Sequence, residues 1–239
     1  MKALFDKLYN KSEESFYKIL EKDLKNDKKT FIVTANPETF MMSEKDEEMR
    51  ELLLDKNTIL VPDGIGIVKA ARMINYDVKE RIAGIDIANK LLELGNKQKK
   101  SIYLFGSKQE VIDYMKEVLK NDYPNLELVG ASNGYEKDKD KVFEKIAKEN
   151  PDIVLVALGI PLQEKLIYKH LDQFNKGIFV GVGGSFDVIS GHKKRAPKIF
   201  IKLNLEWLYR ILKEPKRLKR FYDSNVKFLF KVKKKTIKK

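Results

Sequence analysis

The sequence predicts an α/β fold, a largely parallel sheet flanked by helices, with a basic amphipathic helical appendage at its C-terminal end. Three observations carry this. Short β-branched runs alternate with longer helical patterns across residues 29–182, the spacing of βαβ units. The runs Ile153-Val154-Leu155-Val156-Ala157 and Ile178-Phe179-Val180 lack polar alternation, as strands covered on both faces do. After Gly191 the composition turns basic and amphipathic.

In order along the chain, residues 1–26 are expected to add an edge strand and a helix starting near Ser12. Strands are expected at 30–34, 58–61, 101–105, 126–129, 152–157 and 177–180. Helices fall between them at 37–54, 65–75, 85–94, 109–119, 139–148 and 163–170. The pattern is Rossmann-like. With 239 residues, 43% of them hydrophobic, the chain can bury one substantial core. We therefore expect an α/β domain over 1–194 and an appendage over 195–239.

Composition limits the chemistry. There are no cysteines, so neither a disulfide nor a thiolate metal site is possible. His170 and His192 are the only histidines and leave little room for zinc. No secretory signal opens the sequence, and its longest apolar run, residues 153–160, falls far short of the ~20 residues that span a bilayer. A cytoplasmic protein, soluble or peripheral, is the expectation. The net charge of +13 is uneven: residues 192–239 hold 18 lysines and arginines against three acids, leaving the body slightly negative. Such a tail seeks an anionic surface, either nucleic acid or lipid.

In a parallel sheet, ligands collect beyond the carboxyl ends of the strands. After the first central strand, Asn36 and Pro37 in Thr34-Ala35-Asn36-Pro37-Glu38 read as a helix cap and first turn. Thr34 and Asn36 could equally hold sugar hydroxyls or a phosphate. Asp63, in Pro62-Asp63-Gly64-Ile65-Gly66, reads as a cap or as a general base, ionised near neutral pH and able to accept a proton. Arg81, in Arg81-Ile82-Ala83-Gly84-Ile85-Asp86, is either a surface partner of Asp86 or a bidentate anion binder. Gln163 and Glu164 follow Gly159-Ile160-Pro161-Leu162 at a helix start. The glycines of Gly181-Val182-Gly183-Gly184 permit close backbone approach to a ligand. No P-loop or dinucleotide fingerprint is present, which argues against an ordinary NTPase or NAD enzyme. Asp138-Lys139-Asp140 has a D-x-D spacing used for metal-bound nucleotide sugars, but it sits in a Lys/Asp-rich stretch and reads as solvated surface.

The tail is amphipathic. Phe200, Leu203, Trp207 and Ile211 form one helical row, and Ile201, Leu205, Leu208 and Leu212 the next, with Lys202, Glu206, Arg210 and Lys213 opposite. A second helical stretch after Pro215 places Arg217 and Arg220 on one face. It reads as a packed helical subdomain or, better, as a membrane-surface element, because bulky apolar residues lie beside lysine clusters.

Taken together, these strings, with Arg195-Ala196-Pro197, Glu206-Trp207-Leu208-Tyr209-Arg210 and Glu214-Pro215-Lys216-Arg217-Leu218-Lys219-Arg220, resemble the WecG/TagA/CpsF family of glycosyltransferases. The likeness runs from about residue 30 to 220. Two neighbours of the polar residues depart from it: Ala35 replaces a common proline and Leu162 a usual lysine. The resemblance implies an inverting, metal-independent transfer from a UDP-sugar, without a cofactor, to N-acetylglucosamine linked through diphosphate to a polyprenol. The donor would be UDP-N-acetylmannosamine in the wall teichoic acid branch, and N-acetylmannosaminuronic acid or glucose derivatives in others. It further implies that Asp63 is the base, that Thr34, Asn36 and Gln163 line the sugar pocket with Arg81 and Glu164 nearby, and that Gly183 and Gly184 admit the nucleotide. Arg210, Arg217 and Arg220 would close over the diphosphate. A homo-oligomer off the membrane and peripheral binding to the inner face of the cell membrane also follow from it.

Two rivals remain. A nucleic-acid-binding protein would interleave exposed aromatics with basic residues, whereas Phe, Trp and Leu here gather on an apolar face. A nucleotide-binding regulator would need no acceptor base.

Overall fold

The computed structural model describes residues 1–237. Helices α1 (Lys2–Lys7) and α2 (Glu13–Lys25) precede β1 (Thr30–Ala35), α3 (Pro37–Met42), α4 (Glu47–Leu54), β2 (Thr58–Pro62), α5 (Ile65–Met73) and α6 (Gly84–Gln98). Then follow β3 (Ser101–Gly106), α7 (Gln109–Asp122), β4 (Glu127–Ser132), α8 (Lys139–Glu149), β5 (Ile153–Ala157), α9 (Leu162–His170), β6 (Ile178–Gly181) and α10 (Ser185–Ile189). The tail forms α11 (Lys198–Lys202), α12 (Glu206–Lys213), α13 (Arg217–Phe221), a π-turn at Tyr222–Val226 and α14 (Lys227–Ile237).

All six strands are parallel, in the order β2-β1-β6-β5-β3-β4. Alternate side chains divide between two apolar layers, as the two-residue period of a strand requires. Phe31, Val33, Val154, Val156 and Phe179 pack with α3, α4, α5 and α9. Ile32, Ile153, Leu155, Ile178 and Val180 pack with α2, α6 and α7. β1 and β5 lead into helices on the first layer, while β6 leads to α10, whose Phe186 lies in the second. The connections thus diverge on both sides of β6, opening crevices at its carboxyl end.

The six strands expected between residues 30 and 180 are all present, and three other local expectations are corrected. The N-terminal edge strand shrinks to an isolated bridge between Leu8 and Leu60, with the Tyr9 N–H donating to Leu60 O at 2.8 Å. Residues 2–7 coil instead, because a helical turn buries both Leu4 and Phe5. The helix expected over 37–54 breaks in two: Asp46 caps a new start by accepting from Met49 N at 3.0 Å. The apolar rows of the tail do not share one helix either. Asn204 adopts φ 57°, and the Leu205 N–H returns to Phe200 O at 2.7 Å, a left-handed stop that ends α11 and re-aims α12.

The last helix returns to the body. Phe228 and Val232 are buried, with Phe228 against Phe5 and edge-on to Phe40. Between that anchor and residue 198, Ile199, Leu203, Leu212, Leu218 and Tyr222 stay exposed.

Candidate active site

β2 ends at Pro62 against Ala35 of β1, and the Asp63 N–H donates to Ala35 O at 2.9 Å. Gly64 takes φ +86° with open space where a Cβ would stand, so the chain turns sharply and leaves Asp63 at the strand end. The return segment is pinned by Ile82 N–H to Pro62 O at 2.9 Å, which places Arg81 beside Asp63, Nε 3.5 Å from Oδ1. Behind them, Gly84 opens α6. A Cβ there would lie 3.3 Å from Thr34 Cγ2, so glycine lets the helix start close against β1, and its N–H donates to the Asp63 carboxylate. Burial pushes the Asp63 carboxyl above the usual range, although Arg81, Arg210 and the Gly84 N–H oppose that rise and Glu206 assists it. Asp63 does not cap α5, which starts without a side-chain cap.

The tail completes this corner. Arg81 Nη2 bonds Glu206 Oε2. Arg195 grips Asp86 with two bonds, of 2.7 and 2.9 Å, and its Nε lies 3.5 Å from Glu206 Oε1. Glu206 is only 5% exposed; burial would raise its carboxyl, but Arg81, Arg195 and Arg210 outweigh that and hold it low. Three arginines thus meet three acids where α12 crosses the strand ends. The surface pair of Arg81 with Asp86 gives way to this arrangement, because Arg195 occupies Asp86. Glu206, placed by its spacing opposite the apolar rows of the tail, is nonetheless buried. One hint was available: it is one of only three acids in a tail of 18 cations.

A second corner lies across β6. Gln163 is buried, and its Oε1 accepts from the N–H groups of Gly159 at 3.0 Å and Gly183 at 3.1 Å. Its Nε2 donates to Glu164 Oε1 at 2.7 Å. One amide therefore bridges the loops after β5 and β6. Gly181 must be glycine, since a Cβ would come within 2.5 Å of Gln163 Nε2. Gly183, at φ +50°, and Gly184 both face open space. Glu164 is 1% exposed, and its Oε2 has no hydrogen-bond partner among the described residues. Burial pushes its carboxyl up to about 7, against the pull of Gln163.

The remaining residues named from sequence divide. Asn36 Oδ1 caps α3, accepting from Thr39 N at 3.1 Å. Arg220 pairs with Glu38 at 2.9–3.1 Å, beside a depression of about 480 Å³ lined by Met41, Lys45, Lys216 and Lys219. Arg217 holds Glu214 at 2.8 Å on the surface. Of the three tail arginines, Arg210 is the one whose charge acts on Asp63. Asp138 caps α8 and Asp140 pairs with His170 and Lys169. Among the described residues, no cluster of His, Cys, Asp and Glu has the makings of a metal site, and no helix is long and apolar enough to cross a membrane.

The model of the glycosyl transferase WecG/TagA/CpsF family matches residues 4–239. A Bacillus subtilis (strain 168) protein is 44% identical over 88% of this chain and 82% of its own length. One from Bacillus spizizenii (strain W23) is 43% identical over 82% and 76%, and one from Staphylococcus aureus (strain MW2) 35% over 84% and 79%. All three are named N-acetylglucosaminyldiphosphoundecaprenol N-acetyl-beta-D-mannosaminyltransferase. With the model spanning nearly the whole sequence and relatives this similar, the chain belongs to the WecG/TagA/CpsF family of glycosyl transferases.

Proposed function

We propose that this protein transfers N-acetylmannosamine from UDP-N-acetylmannosamine to N-acetylglucosaminyl-diphospho-undecaprenol, an early step in building wall teichoic acid or a related surface polymer. The observation that carries the reading is Asp63, a carboxylate at a strand end flanked by Arg81 and Arg210. In the reaction, an acceptor hydroxyl attacks C1 of the donor sugar and inverts it, Asp63 takes the hydroxyl proton, and the C1–O bond to UDP breaks. Charge grows on the departing diphosphate, which guanidinium groups are suited to stabilise; Arg210, Arg217 and Arg220 fill that role. Gly183 and Gly184 leave room for the nucleotide, and Thr34, Asn36, Gln163 and Glu164 shape the sugar side.

The acceptor is a lipid, and the tail suits a membrane face. Ile199, Leu203, Leu212 and Leu218 are exposed amid a lysine-rich segment, the combination that anionic headgroups attract. The protein works from the cytoplasmic side as a peripheral enzyme, and off the membrane the same apolar surface joins copies of the chain. Liposome flotation set against duplex DNA binding at matched salt tests the choice of surface.

The decisive assay offers a panel of UDP-sugars with one synthetic lipid-diphosphate N-acetylglucosamine, for the intact protein and Asp63→Asn. UDP-N-acetylmannosamine should be the preferred donor, and the variant should lose roughly 10²–10⁴-fold in kcat, the usual worth of a positioned base, with its fold intact. Near-normal turnover by Asp63→Asn removes Asp63 from its role.

A further inference from the structure

Arg81 stands between two acids that belong to different parts of the molecule. Asp63 is part of the sheet end, 3.5 Å from Arg81 Nε. Glu206 arrives on α12, 125 residues later, and takes Arg81 Nη2. A guanidinium has one charge to share, and whatever binds one edge weakens its hold on the other. With α12 docked, Arg81 is divided. With α12 withdrawn, Arg81 is free to close its planar fork on Asp63 alone, the geometry guanidinium and carboxylate prefer.

We propose that Glu206 is a positioning residue for the transfer reaction: by drawing Arg81 toward itself when α12 docks, it leaves Asp63 available to accept the acceptor's proton. This rests on the reading of Asp63 as the base. It differs from a plain structural ion pair because Glu206 acts on Asp63 through Arg81 and by its own charge. Charged groups of both signs surround the two acids. Asp63 is faced by Arg81, Arg210, Glu206 and the Gly84 N–H; Glu206 is faced by Arg81, Arg195 and Arg210, and Arg195 is itself held by Asp86. An opposite charge within a few ångströms shifts a carboxyl by about one to three pH units, so partial release of Arg81 matters to a base. Glu206 and Arg210 lie four residues apart on α12, so one docking event would bring both the relay and an arginine for the leaving group.

The test uses the full chain and Glu206→Gln, which keeps the shape and a hydrogen bond to Arg81 while removing the charge. The Asp63 carboxyl is titrated by carbon NMR, and kcat/KM is followed against pH. The chain has no cysteines, so a label pair at Glu93→Cys on α6 and Lys213→Cys on α12 reports by distance whether α12 stays docked. We expect the Asp63 midpoint and the acid limb of the rate profile to move down by half a pH unit or more. The plateau should fall severalfold, with the distance between the labels unchanged. An Asp63 midpoint that stays put while α12 is docked overturns the proposal. If Glu206→Gln releases α12, Glu206→Asp decides: a midpoint returned to the wild-type position supports the relay, and one that does not return overturns it. Should the wild-type chain transfer no sugar, the functional reading fails, yet the NMR titration still decides the role of Glu206.

Discussion

The crevices on the two sides of β6 are built from similar sequence and differ in charge. On one side Asp63 sits among Arg81, Arg195 and Arg210, with Glu206 and Asp86. On the other Glu164 is more deeply buried and has only the Gln163 amide on one oxygen and, among the described residues, no partner on the second. Both carboxyls are raised by burial, but only Asp63 has guanidinium groups opposing the rise. The contrast shows how one fold edge provides two environments. At Asp63 the rise caused by burial is opposed by arginine charge; at Glu164 it is opposed only by hydrogen bonds, chiefly from the Gln163 amide that also ties two loops together.

Three substitutions would sharpen or break that contrast. Arg210→Ala should have the largest effect, about 10²-fold or more in kcat if it faces the departing diphosphate. Because Arg210 is exposed, the melting temperature should hardly move, and steady-state rates beside a thermal melt check both halves. Gln163→Leu should act the other way, chiefly on stability. It strands the N–H groups of Gly159 and Gly183 and the Glu164 carboxyl, a loss of roughly 2–4 kcal/mol. Calorimetry should show a fall of roughly 5–12 °C for a chain of this length. An unchanged melt would mean the two loops do not depend on the bridge.

The smallest effect concerns Glu164→Gln. A carboxyl raised to about 7 in the folded state keeps its proton while the unfolded chain has lost its own. The wild-type protein should therefore lose stability as pH climbs from about 4.5 to about 7, by up to about 3 kcal/mol, and level off above. Glu164→Gln should flatten that decline in urea melts taken across the same window. A slope identical to wild type would show that Glu164 is ionised throughout.

Much of this was legible in local sequence. The six strands show as short apolar runs, Asp63, Gln163 and Gly183 stand out because each follows a strand, and Arg81 stands out as an arginine just before the start of α6. The strand order does not, since β2-to-β3 and β4-to-β5 crossovers leave no local trace. Nor do the pairings of Arg81 with Glu206 and of Asp86 with Arg195, which join residues 125 and 109 positions apart. Local patterning misled where one residue overrode it. Asn204 interrupts an otherwise continuous apolar stripe, and the burial of Phe5 turned an expected edge strand into a helical turn.

The burial of Phe228 and Val232 has a consequence for how the preceding helices can move. Arg195 fastens one end of that stretch at Asp86 and these two side chains fasten the other, so α11 to α13 form a strap clasped at both ends, unlike a free flap. Lifting such a span of roughly thirty residues and laying it back costs little chain entropy, because its ends never separate. A bilayer pressing on the exposed leucines could therefore reseat it quickly, whereas a break in the backbone near residue 222 would turn a short return path into an open search.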